Sequence, residues 1–325
     1  MKHTLLLFSF LLVLSCGNNA GSNQKSLSDS SGNINNLSVV IENDLWEGNV
    51  GEAIRNTLAA PVDGLPQDEP LFTMSQIPPV VFTDFATKNR TVFKVEKGGE
   101  ASVKIMSNVY AEPQKVVLVS GKTDKDIIEQ IEINAQKIIA ALKSEEIKEK
   151  QRRISLSLHS NSSIEDKLGI NIKFPSAYRI AKEEDHFFWI RKDITTGTTN
   201  LMIFELPYNY INKEDSLVDQ IIKLRDSIGK AHIPGPTEGS FMITEEAYAP
   251  AVFETTIDNK PAIETKGLWD VKNAFMSGPF VNYLIDDKIN NRLLVIEGFA
   301  FAPSVEKRDY MFELEAIIRS LKIKE

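Results

Sequence analysis

The sequence predicts an α+β fold in two layers, each a sheet with its own helices. Three observations predict it. Short runs of β-branched and aromatic residues recur along the chain and are densest between Lys266 and Pro303. Between them, apolar residues fall at helical spacing near residues 45–58, 127–142, 217–228 and 310–321. The order is strand, helix, strands, helix, then strands, helix, strands, helix, which is that of segregated α+β units. A length of 325 residues suits two domains, and 42% hydrophobic with 25% charged content suits a globular chain.

In chain order, Met1-Lys2-His3 is a short basic start. The apolar run Leu5–Leu14 is too short to span a bilayer. It ends in Val13-Leu14-Ser15-Cys16, the layout of an export signal over residues 1–15. Residues 16–36 are Asn, Ser and Gly with few apolar positions, and are expected to form a disordered tether. Twenty such residues reach roughly 25 Å root-mean-square.

An N-terminal domain is expected over 37–150. Ser38–Glu42 is its first strand, and Asn43 or Asp44 caps a helix carrying Leu45, Val50, Ile54 and Leu58, ended by Pro61. Leu71–Met74, Thr91–Val95, Ser102–Tyr110 and Lys115–Ser120 are further strands. Thr123 and Asp126 form a capping box before a helix with Ile127, Ile131, Ala135, Ile138 and Leu142. This succession suggests a ferredoxin-like layer. Residues 151–168 form a helical linker.

A C-terminal domain is expected over 169–325. Strands run through Ile170–Phe174, Phe187–Ile190, Leu201–Phe204, Phe241–Thr244, Val252–Ile257 and Ala262–Trp269. Asp215 or Ser216 caps a helix closed by Gly229. Phe280–Ile285 and Leu293–Phe301 flank a polar turn with an Asn290-Asn291 pair, and read as a hairpin central to the sheet. Ser304 caps the last helix, with Tyr310, Leu314, Ile317 and Leu321 on one face.

Two resemblances add to this reading. Cys16 at the end of the apolar run resembles the lipobox of bacterial lipoproteins, which implies cleavage before Cys16 and a lipid on its thiol. Seven segments are similar to an uncharacterised family of Gram-negative lipoproteins, domain of unknown function 4837. They are Leu45-Trp-Glu-Gly48, Gly64-Leu-Pro-Gln67, Ala111-Glu-Pro-Gln114, Pro234–Ser240, Gly267-Leu-Trp269, Gly278-Pro-Phe-Val281 and Glu297-Gly-Phe299. The likeness spans residues 37 to 325 and implies an envelope lipoprotein without an assigned activity. The C-terminal succession of elements resembles the Mog1/PsbP-like sandwich.

The chemistry the sequence offers is sparse. A formal charge of −8 without a Lys/Arg stripe argues against nucleic acid. Removal of residues 1–15 leaves 36 basic against 45 acidic residues, a charge of −9. The four histidines are not at metal-ligand spacing, no Gly-x-Ser-x-Gly elbow occurs, and the glycines make no phosphate loop. The paired acids at 183–185, 245–246 and 286–287 fall in expected turns and read as solvated. No cofactor or metal is expected.

Trp46 beside Glu47, and Trp269 beside Asp270, stand at element ends and are the candidate ligand-binding residues. The plainer reading makes both tryptophans the edge of a core. The function expected is a non-catalytic binding or scaffold module facing the periplasm. It is anchored by its lipid to a membrane, expected to be the outer one, and engages an envelope protein or glycan. The alternative is a hydrolase of envelope glycan or peptide, using carboxylates gathered by the fold.

Overall fold

A computed structural model describes residues 27–160, 162–212 and 214–324. Cys16 and residues 1–15, the expected export signal, lie outside the described residues.

The N-terminal half comprises β1 (Ser28–Asp29), β2 (Asn36–Val40), α1 (Asn43–Glu47), α2 (Asn49–Leu58), β3 (Thr73–Ile77), β4 (Thr91–Lys97), β5 (Ser102–Ser107), β6 (Ala111–Glu112), β7 (Lys115–Gly121), α3 (Asp124–Ile133) and α4 (Ala135–Ile154). Its five-stranded sheet has the order β3-β2-β4-β7-β5. Here the ferredoxin-like expectation is corrected. The pairs β2–β3, β2–β4 and β4–β7 are parallel, and only β5 is antiparallel to its neighbour β7. The crossover through α1 and α2 returns the chain to the end of the sheet where β2 began, so the next strand runs in the same direction. Residues 37–40 of β2 are accordingly buried, as in a central strand covered on both faces. Leu37, Val39, Phe93 and Val117 face the helices. Val40, Val92 and Val116 face the opposite way, under Phe82 and Tyr110.

Thr123 forms the expected capping box with Asp126. The first helix is two pieces, broken where Gly48 is extended.

The tether expectation is corrected over residues 27–36, while residues 16–26 lie outside the described residues. Residues 27–36 lie on the body. Ser28 and Asp29 pair in parallel with Ala111 and Glu112, and Ile34 is buried. Arg90 donates to the carbonyls of Gly32 (3.3 Å) and Asn33 (2.9 Å) while pairing with Glu146 at 2.8 Å. Glu146 also accepts the Asn35 N–H at 2.8 Å. Polar composition argued against a core, but here a buried ion pair orders the backbone instead.

The C-terminal half comprises α5 (Ser163–Leu168), β8 (Ile170–Asn171), β9 (Arg179–Glu183), β10 (Phe187–Ile194), β11 (Gly197–Pro207), α6 (Leu217–His232), β12 (Met242–Thr244), β13 (Ala251–Ile257), β14 (Lys260–Val271), β15 (Ala274–Asp287), β16 (Arg292–Phe301), α7 (Arg308–Ile318) and β17 (Lys322–Ile323). The large sheet runs β12-β14-β15-β16-β11-β10-β9, with β13 also on β14. The expected central hairpin is β15–β16, and Asn291 in its turn takes a φ of 52°. Helix α6 covers one face, over Phe204, Trp269, Phe280 and Val295. Helices α5 and α7, with the end of α4, cover the other, over Ile190, Leu201, Tyr283 and Ile296. The molecule is α+β, as expected, with this sheet sandwiched between helices.

Two local expectations are corrected, and one strand was not expected. Ser216 caps α6, but the helix runs past Gly229 to His232. Gly229 is there for close packing: a Cβ would meet the Met242 carbonyl oxygen at 2.1 Å. Ser304 does not cap α7, which starts at Arg308. Its first N–H groups go to the buried Glu69 carboxylate of the other half, Lys307 N at 2.8 Å and Arg308 N at 2.8 Å. The polar edge strand β9 gave no β-branched run to announce it.

Candidate functional site

A wide groove opens where the loop at 63–68 faces the tip of the β14–β15 hairpin. Two contiguous clefts of about 1120 and 600 Å³ form it, sharing Pro66, Gln67, Glu245, Ser277 and Gly278. Glycine builds the floor. Gly64 has a φ of 78° and sits so close to β14 that a Cβ would meet the Gly267 nitrogen at 2.9 Å. Gly278 lies opposite Trp269, and a Cβ on it would meet the Ala300 carbonyl oxygen at 2.1 Å. Phe275 at the hairpin tip is fully exposed, and Tyr248 is 63% exposed. A β-bulge between Asp270 and Val271 shifts the strand here, and the Asp270 carboxylate accepts the Val271 N–H at 2.7 Å.

The electrostatics of the groove differ from those of the core. Asp63, Asp68, Glu245, Glu246 and Asp270 line it, and among the described residues none of the five is in an ion pair. The cations nearby are turned aside. Lys307 Nζ donates to the Val305 carbonyl at 2.6 Å, Lys266 lies over the Phe253 ring and pairs with Glu264 at 3.6 Å, and Lys272, which also lines the groove, lies over the Phe241 ring.

The buried carboxylates with shifted protonation lie elsewhere and have cations in place. Glu149 is held at about 2 by Arg152, Arg153 and Arg90 against its burial. Burial pushes Glu146 up despite Arg90. Burial also opposes ionisation of Glu315, but Lys143, Lys266 and Arg319 outweigh it and hold its carboxyl below the usual range. Glu264 and Glu315 do converge near Tyr283, whose hydroxyl donates to Glu264. Lys143 (2.8 Å) and Arg319 (2.8 Å) saturate Glu315, beside a cavity of only about 80 Å³. This network stitches α4 to α7.

The predicted site residues do not share one site. Trp269 is 2% exposed, edge-on to Phe299, with its indole N–H donating to the Ala300 carbonyl at 3.2 Å. It is core, and its candidacy as a ligand anchor is corrected. Asp270, on the opposite face of the same strand, reaches the groove. Trp46 is half-buried in the N-terminal core with Arg55 stacked over it at 4.9 Å, and Glu47 is exposed beside it. Neither lines the groove. The residues that sequence reasoning missed are Phe275, Tyr248 and the loop at 63–68. One signal did point here: the segments starting at Gly64, Gly267 and Gly278 meet at the floor.

Among the described residues, no three His, Cys, Asp or Glu gather to hold a metal, and no helix is long and apolar enough to cross a membrane.

Residues 157–320 match the profile described as a domain of unknown function, DUF4837. The chain belongs to this family. Residues 30–155 match a second profile, the domain of unknown function DUF8532. No curated protein matches by sequence. Among solved structures, similarity extends to the Saccharomyces cerevisiae Ran-binding protein Mog1p, at 11% identity over 47% of this chain and 89% of that one, with a TM-score of 0.30. A mutant of the protein Mog1 shows 11% identity over 48% and 91%, with a TM-score of 0.29. LpqN, involved in cell envelope biogenesis of Mycobacterium tuberculosis, shows 11% identity over 48% and 83%, with a TM-score of 0.28.

Proposed function

We propose that this protein is a non-catalytic binding module of the cell envelope, held at the periplasmic face of a membrane by a lipid on Cys16. Its groove grips a Lys/Arg-bearing segment of an envelope protein. The observation that carries this reading is the contrast in charge pairing. The buried carboxylates with shifted protonation have their cations, whereas five carboxylates around the exposed Phe275 and Tyr248 are in no ion pair among the described residues. A hydrolase needs free carboxylates with tuned protonation, and the buried tuned ones here, such as Glu146, Glu149, Glu313 and Glu315, are engaged by cations.

The energetics suit a modest, salt-sensitive interaction. Each rim carboxylate contributes about 0.2–1 kcal/mol with a basic residue. An aromatic anchor contributes about 2 kcal/mol. Association is steered by the acidic rim and weakens as salt rises.

The test uses a fluorescent peptide alternating Arg with Leu and its Glu-for-Arg counterpart, followed by anisotropy at low and high salt. The basic peptide binds, and Phe275→Ala with Asp270→Asn weakens it about tenfold or more. Equal binding of both peptides, or no effect of the double variant, sinks the reading. Binding of a neutral oligosaccharide that is lost in Phe275→Ala and indifferent to salt replaces the peptide by a glycan. The anchor is tested separately, by fatty-acid labelling of wild type against Cys16→Ser. Equal labelling removes the lipid.

A further inference from the structure

The sheet face under α6 holds a second, different cleft. It has a volume of about 590 Å³ and lies between the start of α6, the chain at 208–211 and strands β13 to β16. Ile263, Leu284 and Leu293 floor it, and Ile211 and Leu217 wall it. Farther along the same face, Phe204, Trp269 and Phe280 are buried under α6. Here the helix has only begun, and Ile211, Leu217, Ile263 and Leu293 stay half-exposed. Apolar side chains facing water in a concave pocket of this size are the setting for a small ligand.

The rim adds a polar requirement. Asp286 lines the cleft, and its Oδ1 is shut off from solvent without a hydrogen-bond donor. Its other oxygen lies 3.4 Å from Lys288 Nζ, and Lys288 is exposed. Glu254, also on the rim, is in no ion pair among the described residues. Closed off, Oδ1 is not reached from the cleft; a cationic head meets Oδ2 and Glu254, and these two acids outnumber Lys288 among the lining residues and leave the rim net negative.

We propose that this cleft binds a single-chain amphiphile, its alkyl body on Ile263, Leu284 and Leu293 and its protonated amine at Asp286 and Glu254. A lipid with an aminoethyl head and a free alkylamine share this chemistry. The site is independent of the groove, being on the other face of the sheet.

Calorimetric titration of the purified chain with decylamine, decanol and decanoate tests it, with lysophosphatidylethanolamine as the lipid arm. Decylamine binds at one site, and decanol and decanoate bind about tenfold weaker or worse. Asp286→Asn and Glu254→Gln each shrink the preference of amine over alcohol while leaving decanol binding. Ile263→Trp and Leu217→Trp fill the cleft and abolish binding, with thermal melts identifying whichever variant is folded. Binding of the lysolipid as well assigns a lipid source, and binding of decylamine alone assigns a free amine. Absence of heat with decylamine, parity of decanoate with decylamine, or undiminished binding in a folded filled variant overturns the proposal.

Discussion

Glu69→Ala is the sharpest test of how the halves hold together. Glu69 is 4% exposed and belongs to the N-terminal half, yet its carboxylate occupies the start of α7. It accepts Lys307 N through both oxygens, at 2.8 and 3.0 Å, and Arg308 N at 2.8 Å. Two of the helix's orphan donors thus depend on one distant side chain. A hydrogen bond to a charged group contributes about 1.5–3 kcal/mol, and a carboxylate at a helix N-terminus adds about 0.3–1 kcal/mol. Water admitted to the gap recovers part of this, so the net loss is about 2–4 kcal/mol. Asp68 next to it is exposed and lines the groove, so Asp68→Ala changes stability by less than about 0.5 kcal/mol. The assay is urea denaturation followed by circular dichroism and tryptophan emission, comparing both variants with wild type. The Glu69 loss falls on the transition that melts α7. Equal stability of Glu69→Ala and Asp68→Ala would refute the cap.

Other outcomes follow from burial and pairing. Trp269→Ala costs about 3–5 kcal/mol in a urea melt, whereas half-buried Trp46→Ala costs less, and the reverse order would contradict the packing described. Arg90→Ala releases residues 27–36, and limited proteolysis then cuts there at protease levels that spare wild type; unchanged protection shows that Arg90 does not hold the segment. Glu149 has a folded pKa of about 2, below its ordinary 4.5, so its contribution is full above about pH 4.5 and fades as pH falls through about 2. A Glu149→Gln variant therefore loses stability relative to wild type at neutral pH, with the gap closing in acid. A gap that widens on acidification would show the opposite shift.

How far the sequence was legible depends on the range of the interaction. Strand runs such as Val281–Ile285 and caps such as Thr123 with Asp126 are decided within a few residues, and the structure places them as read. The parallel N-terminal sheet was not legible, because β2, β3 and β4 are short and their pairing is set by crossovers. The groove was not legible either, since Gly64 and Gly267 meet across some two hundred residues of chain. The pairing of Trp269 with Asp270 failed for a local reason. Consecutive strand residues face opposite sides, so one is buried under α6 while the other reaches the groove. Trp46 and Glu47 are adjacent on a helix and do not share a face either.

The loop from Pro61 to Pro70 carries two tasks at once. It is closed on itself by the bridge between those prolines and by Val62 N donating to the Glu69 carbonyl at 2.9 Å. At one end Glu69 caps α7; in the middle Asp63, Gly64 and Asp68 form the lip of the groove. The floor and the exposed aromatics come from the C-terminal sheet, and the lip comes from the other half. Neither half alone contains the groove, and the two family profiles meet between residues 155 and 157, in the connection that joins those halves. A site assembled this way is only as rigid as the docking of the halves. The buried Glu69 cap, the Lys143–Glu315 pair and Lys150 with Lys192 on Glu313 are what give that docking one geometry. Buried pairs of this kind contribute little net stability against apolar packing, but leaving one partner uncompensated is costly, so they penalise a shifted arrangement. The charge invested at the junction therefore serves the shape of the groove more than the strength of the fold.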